Sequence, residues 1–417
     1  MNPPAVVMNM FYTGLGIARS LGERGIPVIG LTAQHGIYGN YTRYAKIEVC
    51  PDSRNEPQKL LAFLLRLGER IGRQGVVFPT RDDDVVFLDR FRDELAPYYT
   101  LVIPPSPALV VCLDKWQTYL CARQAEVPTP KCWLIESYAD LDRILHNATY
   151  PCVLKPLAAH HWRQGHNWEI VGERKAIAIH SPGELRAEYA TIARADNRAL
   201  LQELVPGADD CLVVTACYID RNGRWAGAFN AQKLIQEPVG FGTGCVVQTV
   251  HRPELFGPTL RLLQQMNFSG IAEVEYKWDE SGHCYKLIEV NPRPWDQHGL
   301  GRVCGVDLMR LAYSDHAGLP TPDMQTQAGT WKWIADDGFV TTALRCITKR
   351  DGRFRALFRA ARGKRTYGIW LAKDPLPFLA YFTARLIPQL AKGCFKWLWW
   401  RLHARMARRA LSAKGAS

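Results

Sequence analysis

LIEVNPRPWDQHG, residues 287–299, opens as an apolar strand with polar side chains at alternate positions. Side chains alternate across a strand, so Glu289, Asn291 and Arg293 share one face. A carboxylate, an amide oxygen and a guanidinium aimed the same way suit metal-bound phosphates. Mg²⁺ takes hard oxygen ligands, and a guanidinium bridges phosphate oxygens. Upstream, GIAEVEYKWD (270–279) and HCYKLIEVN (283–291) flank Glu-Ser-Gly, so an antiparallel pair is expected, with Glu275 as a second carboxylate across it. Solvated polar positions on a half-exposed strand are the plain alternative, which a lone Glu-x-Asn does not exclude.

Working outward, three regions emerge. In residues 1–112, strands AVVMNM, IPVIGLTA, GVVFPT and TLVIP alternate with helices TGLGIARSLGERG, LLAFLLRLGERIGRQ and DDVVFLDRFRDEL. That alternation predicts an α/β, doubly wound parallel sheet, closed by the prolines of PPSP at 104–107. From 113 to 320 the pattern becomes α+β: helix DKWQTYLCARQAE, strands at 152–156 and 199–205, and longer strands CLVVTACYID and RWAGAFNAQKL joined by an Asn222-Gly223 turn that favours a hairpin. Residues 321–417 form a third region, predicted as a helical, basic, amphipathic C-terminal extension.

The order of motifs in the middle region resembles the ATP-grasp superfamily, whose members carry a Glu on one strand and Glu-x-Asn-x-Arg on the next. The matching residues are Glu275, then Glu289, Asn291 and Arg293. Two lysines used by that family match Lys115 in LDKWQ and Lys155 in CVLKP, and the family's adenine hinge matches LLQELVPGADD, residues 200–210. The resemblance covers about residues 1–320. It implies that Lys115 and Lys155 hold the phosphates of ATP, and that Glu275, Glu289 and Asn291 hold Mg²⁺, with Mn²⁺ as a substitute. Gln202 would flank the adenine, Glu203 and Val205 would offer it backbone groups, and Asp209 or Asp210 would take the ribose hydroxyls. More narrowly, the chain is similar to the carboxylate–amine ligase branch that includes D-aspartate ligases, through KLIQEPVGFGTGCVVQTV (233–250) and His298. Lys233 would then hold phosphate or an acidic substrate, and Gly240, Gly242 and Gly244 would admit a ligand close to the backbone. A glycine-containing turn with a solvated Lys233 is the alternative. The implied activity is an ATP-dependent ligase that joins a small-molecule carboxylate to an amine through an acyl phosphate, with Arg293 as a catalytic residue beside Lys233.

One departure concerns the loop after Lys155, which is glycine-rich in many members. Here KPLAAHHWRQGHNWEI holds only Gly165, and His160, His161, Arg163 and His166 are the candidates for phosphate contact. That departure keeps a second reading open, a nucleotide-binding sensor or scaffold without ligase chemistry. Zinc binding by the three histidines is disfavoured because no partner pattern accompanies them. TGLGIAR lacks the third glycine of a dinucleotide fingerprint, which argues against a NAD enzyme. Arg81 and Asp82 to Asp84 follow strand GVVFPT, where side chains face a ligand crevice; capping of the next helix by Asp82 or Asp83 is the alternative.

The net charge of +12 is unevenly placed: residues 341–417 carry +16 and the first 340 carry −4. The tail mixes Phe378, Phe382, Phe395, Trp397, Trp399 and Trp400 with Lys and Arg, a pattern suited to an anionic membrane surface or to packing on a neighbouring subunit, so a homo-oligomer stays open. No nucleic-acid recognition fold accompanies the charge. Twelve scattered cysteines without a CxxC pair read as reduced thiols, the start has no basic n-region, and no run of about 18 apolar residues occurs. The expected location is cytoplasmic, with a peripheral association at the inner membrane face as a corollary of the tail.

Overall fold

The computed structural model describes residues 2–163, 165–237, 242–348 and 353–388. At the N-terminus, five parallel strands lie in the order Lys46–Val49, Val28–Thr32, Ala5–Met8, Gly75–Phe78, Tyr99–Leu101. Along the central strand, successive side chains enter opposite cores. Ala5 and Val7 pack with Ile17, Ala18 and Leu21 of helix Tyr12–Gly22, whereas Val6 and Met8 pack with Leu60 and Leu64 of helix Pro57–Ile71 and with Val85 and Leu88 of helix Asp82–Arg90. An apolar run buried on both faces is what a doubly wound sheet requires. The strand order reverses beside Ala5–Met8, so the turn after Gly75–Phe78 opens into the crevice where such sheets bind ligands.

Two antiparallel layers follow. A four-stranded sheet has the order Cys132–Ile135, Ala199–Glu203, Cys152–Pro156, Ile177–Ile179. A seven-stranded sheet runs Cys284–Asn291, Gly270–Asp279, Leu212–Ile219, Trp225–Glu237, Thr243–Val250, Lys332–Ile334, Arg365–Tyr367. The predicted hairpin at Asn222-Gly223 forms: Gly223 takes φ +77°, and the Asp220 carboxylate accepts from the N–H groups of Asn222 and Arg224, each at 2.9 Å. In the pair Gly270–Asp279 and Cys284–Asn291, Ala272, Val274, Tyr276, Leu287 and Val290 enter one core. Alternation sends Glu273, Glu275, Glu289 and Asn291 to the other face, and a register irregularity between Glu275 and Tyr276 absorbs the extra residue Ile288.

The C-terminal region is more than the basic helical extension expected over 321–417. Lys332–Ile334 pairs antiparallel with Thr243–Val250, and Arg365–Tyr367 runs parallel beside it, so the region lengthens the large sheet by two strands. Trp333, 2% exposed, belongs to the same core as Ala5 and Ile17. Asp374 is buried and accepts from Arg19 Nε at 3.0 Å, Thr42 Oγ1 at 2.7 Å and the Arg43 N–H at 3.0 Å. The amphipathic reading missed this because short strands between helices leave little periodic signal. Phe378 and Phe382 are described; Phe395, Trp397, Trp399 and Trp400 lie outside the described residues. No helix among the described residues is long and apolar enough to cross a membrane.

Candidate active site

A cleft of about 440 Å³ lies between the two antiparallel sheets and reaches the crevice of the N-terminal domain. Lys115 is the first residue of helix Lys115–Gln124, whose start is fixed by Asp114: its carboxylate accepts from the N–H groups of Trp116 at 2.9 Å and Gln117 at 3.0 Å. The Lys115 N–H donates to Leu157 O at 2.9 Å, fastening this helix to the small sheet. Lys155 projects from strand Cys152–Pro156, and its Nζ donates to Gln202 Oε1 at 2.7 Å. Burial lowers the Lys155 pKa and Lys115 adds repulsion, partly offset by Glu289.

Across the cleft, Glu275 stands opposite Glu289 and Glu273 opposite Asn291. The Asn291 amide donates to Glu273 Oε2 at 3.0 Å and Glu289 Oε1 at 3.3 Å. Lys233, the residue expected to hold phosphate or an acidic substrate, forms a buried ion pair with Glu275. The sequence assigned Glu275 to metal, yet Glu273 is the carboxylate that shares the Asn291 amide, and strand alternation alone does not choose between two glutamates two residues apart. Glu273 is pushed up to about 8 by burial, against the attraction of Lys233 and Arg293 and with the repulsion of Glu275 and Glu289 added. Burial would also raise Glu289, but Lys115, Lys155 and Lys233 prevail and hold it below its ordinary value.

Hard oxygen donors side by side on paired strands fit a divalent cation. Among the described residues no three His, Cys, Asp or Glu side chains group closely enough to hold one unaided. Glu273, Glu289 and the Asn291 amide, turned to present Oδ1, would supply part of the shell, and phosphate oxygens the rest.

Gln202, Glu203, Leu204 and Val205 line the cleft. The Glu203 N–H is taken by Lys131 O at 2.8 Å, so of its backbone groups only the carbonyl remains for a base. Its carboxylate accepts from the Lys131 N–H at 3.0 Å and lies 3.4 Å from Lys286 Nζ. Asp209 and Asp210, expected at the ribose, sit on the short turn Asp209–Cys211 away from the lining. The Asp209 carboxylate accepts from the Gln236 N–H at 2.9 Å and Nε2 at 3.0 Å, which ties this turn to the long strand.

Of the loop candidates, His160 and Arg163 line the cleft, together with Trp162. His161 Nδ1 instead meets Asp196 Oδ2 at 3.1 Å, and His166 is exposed beside Glu169. Gly242 and Gly244 line the cleft, whereas Gly240 lies outside the described residues. Lys175, unremarked in the sequence, also lines it; among the described residues no hydrogen bond or ion pair engages its ammonium. Lys175 is exposed at the cleft rim, where partial desolvation and Arg163 lower its pKa, opposed by Glu289 and Asp296. A single lysine before a three-residue strand carries no pattern, so only the fold reveals it.

Arg293 also lines the cleft; its Nε donates to Asp82 Oδ1 at 2.5 Å and its Nη1 to Pro294 O at 3.2 Å. In the acidic run after strand Gly75–Phe78, Asp82 and Asp83 line the cleft, and the cap expected from one of them comes instead from Asp84, which accepts from the Arg81 N–H at 3.0 Å. His298 faces away from it. The ring is buried, with Nε2 donating to Thr13 O at 2.9 Å. A Cβ on Gly16 would lie 2.7 Å from that nitrogen, and one on Gly14 only 1.8 Å from Asn9 O, so the glycines of TGLG permit close packing.

No family model matches the chain. Its sequence is 20% identical over 302 residues to a D-aspartate ligase of Enterococcus faecium (strain Aus0004), covering 69% of this chain and 71% of that one. Among solved structures it is similar to a biotin carboxylase from Campylobacter jejuni, with a TM-score of 0.63, 14% identity, and 79% of this chain and 74% of that chain covered. It is similar too to the ADP complex of an N5-carboxyaminoimidazole ribonucleotide synthetase, with a TM-score of 0.61, 15% identity, and 79% and 81% covered. The two-sheet cleft and these likenesses show the ATP-grasp fold. Within that class the chain is an ATP-dependent carbon–nitrogen ligase.

Proposed function

We propose that the chain uses ATP to activate a small-molecule carboxylate as an acyl phosphate, which an amine then attacks to form an amide, releasing ADP and phosphate. The observation that carries this reading is the half-buried Glu289 carboxylate lining one cleft with Lys115 and Lys155, whose charges favour its ionised form. Two lysines and a carboxylate facing one another without a direct ion pair leave room for an anion and its counter-cation between them.

In this reading Lys115 and Lys155 bind the nucleotide phosphates, and the segment Gln202–Val205 receives the adenine. Glu273, Glu289 and Asn291 would hold Mg²⁺, which when bound neutralises phosphate charge as the phosphoryl group moves. Arg293 keeps guanidinium N–H groups beyond those used by Asp82 and Pro294, and these stabilise the acyl phosphate and the tetrahedral species formed by the amine. No protein nucleophile is needed.

The test is ADP release measured with a panel of carboxylates and amines. The native chain should show release that depends on both partners, and a folded Glu289→Gln variant should show none. Full turnover in that variant would remove the site assignment.

A further inference from the structure

The helix Leu376–Tyr381 and the turn continuing it to Leu386 are apolar on two sides. The inner side serves the fold: Tyr381 and Leu386 join Leu15, Tyr38 and Ile369 in one core, with Phe378 packed against it. The outer side carries Leu376, Leu379, Phe382 and Ile387, which are 54%, 50%, 39% and 47% exposed. Leu376, Leu379 and Phe382 recur every third residue and so lie along one stripe. Trp370, 40% exposed, sets its ring edge-on to Phe378 at 5.2 Å, and Phe378 in turn stacks on Phe382 of the outer side at 6.3 Å. A helix apolar all round is not completed by its own fold, and a contiguous exposed patch marks a place of contact.

Charge indicates what makes the contact. Lys373 and Arg385 are exposed on this segment, and Arg43 is exposed beside its base. Asp374 is the acid within residues 370–388, and it is buried against Arg19, Thr42 and the Arg43 N–H. The sequence that follows, 389–417, holds seven Lys or Arg, Phe395, Trp397, Trp399 and Trp400, and neither Asp nor Glu. A second copy of the face, or residues 389–417 folded over it, would bring more positive charge to an already positive surface. Anionic headgroups supply the missing countercharge, acyl chains accept the Leu and Phe side chains, and Trp suits the boundary between them.

We propose that the face formed by Trp370, Leu376, Leu379, Phe382 and Ile387 docks the enzyme on an anionic lipid surface, with Lys373, Arg385 and Arg43 at the headgroups. The ligase thereby works at a membrane surface.

The test is co-sedimentation of the full-length chain with phosphatidylcholine vesicles, with and without phosphatidylglycerol. Partitioning should require phosphatidylglycerol and weaken as salt is raised. Leu379→Glu combined with Phe382→Glu should weaken it roughly tenfold or more, leaving ADP release unchanged. Lys373→Glu with Arg385→Glu alters only exposed side chains, so it serves should the first pair misfold, and it too should lower partitioning roughly tenfold. Three results would overturn the proposal: no sedimentation with mixed vesicles, equal sedimentation of native and both variants, or a dimer that the Leu379/Phe382 variant disperses while no form binds lipid.

Discussion

Arg293 and Asp82 are 211 residues apart in sequence and meet across the boundary between the large sheet and the N-terminal domain, Nε to Oδ1 at 2.5 Å. The contact fixes the end of the strand bearing Glu289 and Asn291 against the first turn of helix Asp82–Arg90. Burial opposes ionisation of Asp82, but Arg293 prevails and holds its pKa below the ordinary carboxylate value. The resulting stabilisation is therefore present above about pH 4 and is lost as pH falls through the lowered pKa. Asp82→Asn should cost about 3 kcal/mol at neutral pH by leaving Arg293 without its counter-ion. Urea unfolding of the variant should also lack part of the acid transition below about pH 4; identical acid limbs would count against the pair.

His298 gives a pH dependence in a different range. Burial lowers its pKa to about 4, against the help of the Thr13 carbonyl. An unfolded His takes up a proton near 6.5 while the buried ring resists, so stability falls as pH drops from about 6.5 towards 4, by up to roughly 3 kcal/mol. His316, also lowered to about 4 by burial, adds a similar slope. His298→Gln should show a shallower decline of the unfolding free energy over that range. Gly16→Ala, whose methyl would press on the same ring, should lower stability by about 1–3 kcal/mol.

Lys155 and Lys175 should separate binding from turnover. Lys155→Met removes a charged donor from the phosphates and should weaken ADP binding, read by calorimetry, by about 10- to 100-fold. Lys175 lines the same cleft as Glu289 and Asp296, beside the edge strand of the small sheet. Lys175→Gln should leave ADP affinity near native and lower kcat/KM by roughly tenfold. Unchanged kcat/KM would reduce Lys175 to a solvated lysine.

Trp333→Ala should destabilise the whole molecule by about 3–5 kcal/mol, because its ring fills a core shared with the N-terminal domain. A chain ending near Pro320 loses that ring, two strands and the partner of Arg19, and should not give a cooperative thermal transition. A sharp transition from the shortened chain would show the region to be dispensable.

The parts of the fold legible in the sequence were those with strong periodicity. The βαβ alternation before residue 112 and the hairpin carrying Glu275 and Glu289 follow from apolar runs of period two and from turn residues. Glu289, Asn291, Arg293, Lys115 and Lys155 shared one ordered pattern, and the structure places all five along one cleft. What escaped was set by neighbours distant in the chain. The partner of Lys233 lies 42 residues on, and that of Arg293 lies in another domain. The place of Asp209 after the hinge implies a ribose contact, and its hydrogen bonds with Gln236 on the long strand leave no mark in the sequence. The strands at 332–334 and 365–367 are three residues each, too short for any period to register.

The tie between Arg19 and Asp374 spans 355 residues and is nearly sealed from solvent. A chain emerging from the ribosome at about 5–20 residues per second must hold its first helix with that guanidinium uncovered for tens of seconds. Until residues 333 and 374 arrive, the apolar edge awaiting Trp333 and the guanidinium of Arg19 remain open to water, to chaperones and to neighbouring nascent chains. Synthesis that stalls shortly before residue 374 should therefore yield aggregation-prone material, even though every group in the cleft has already been translated.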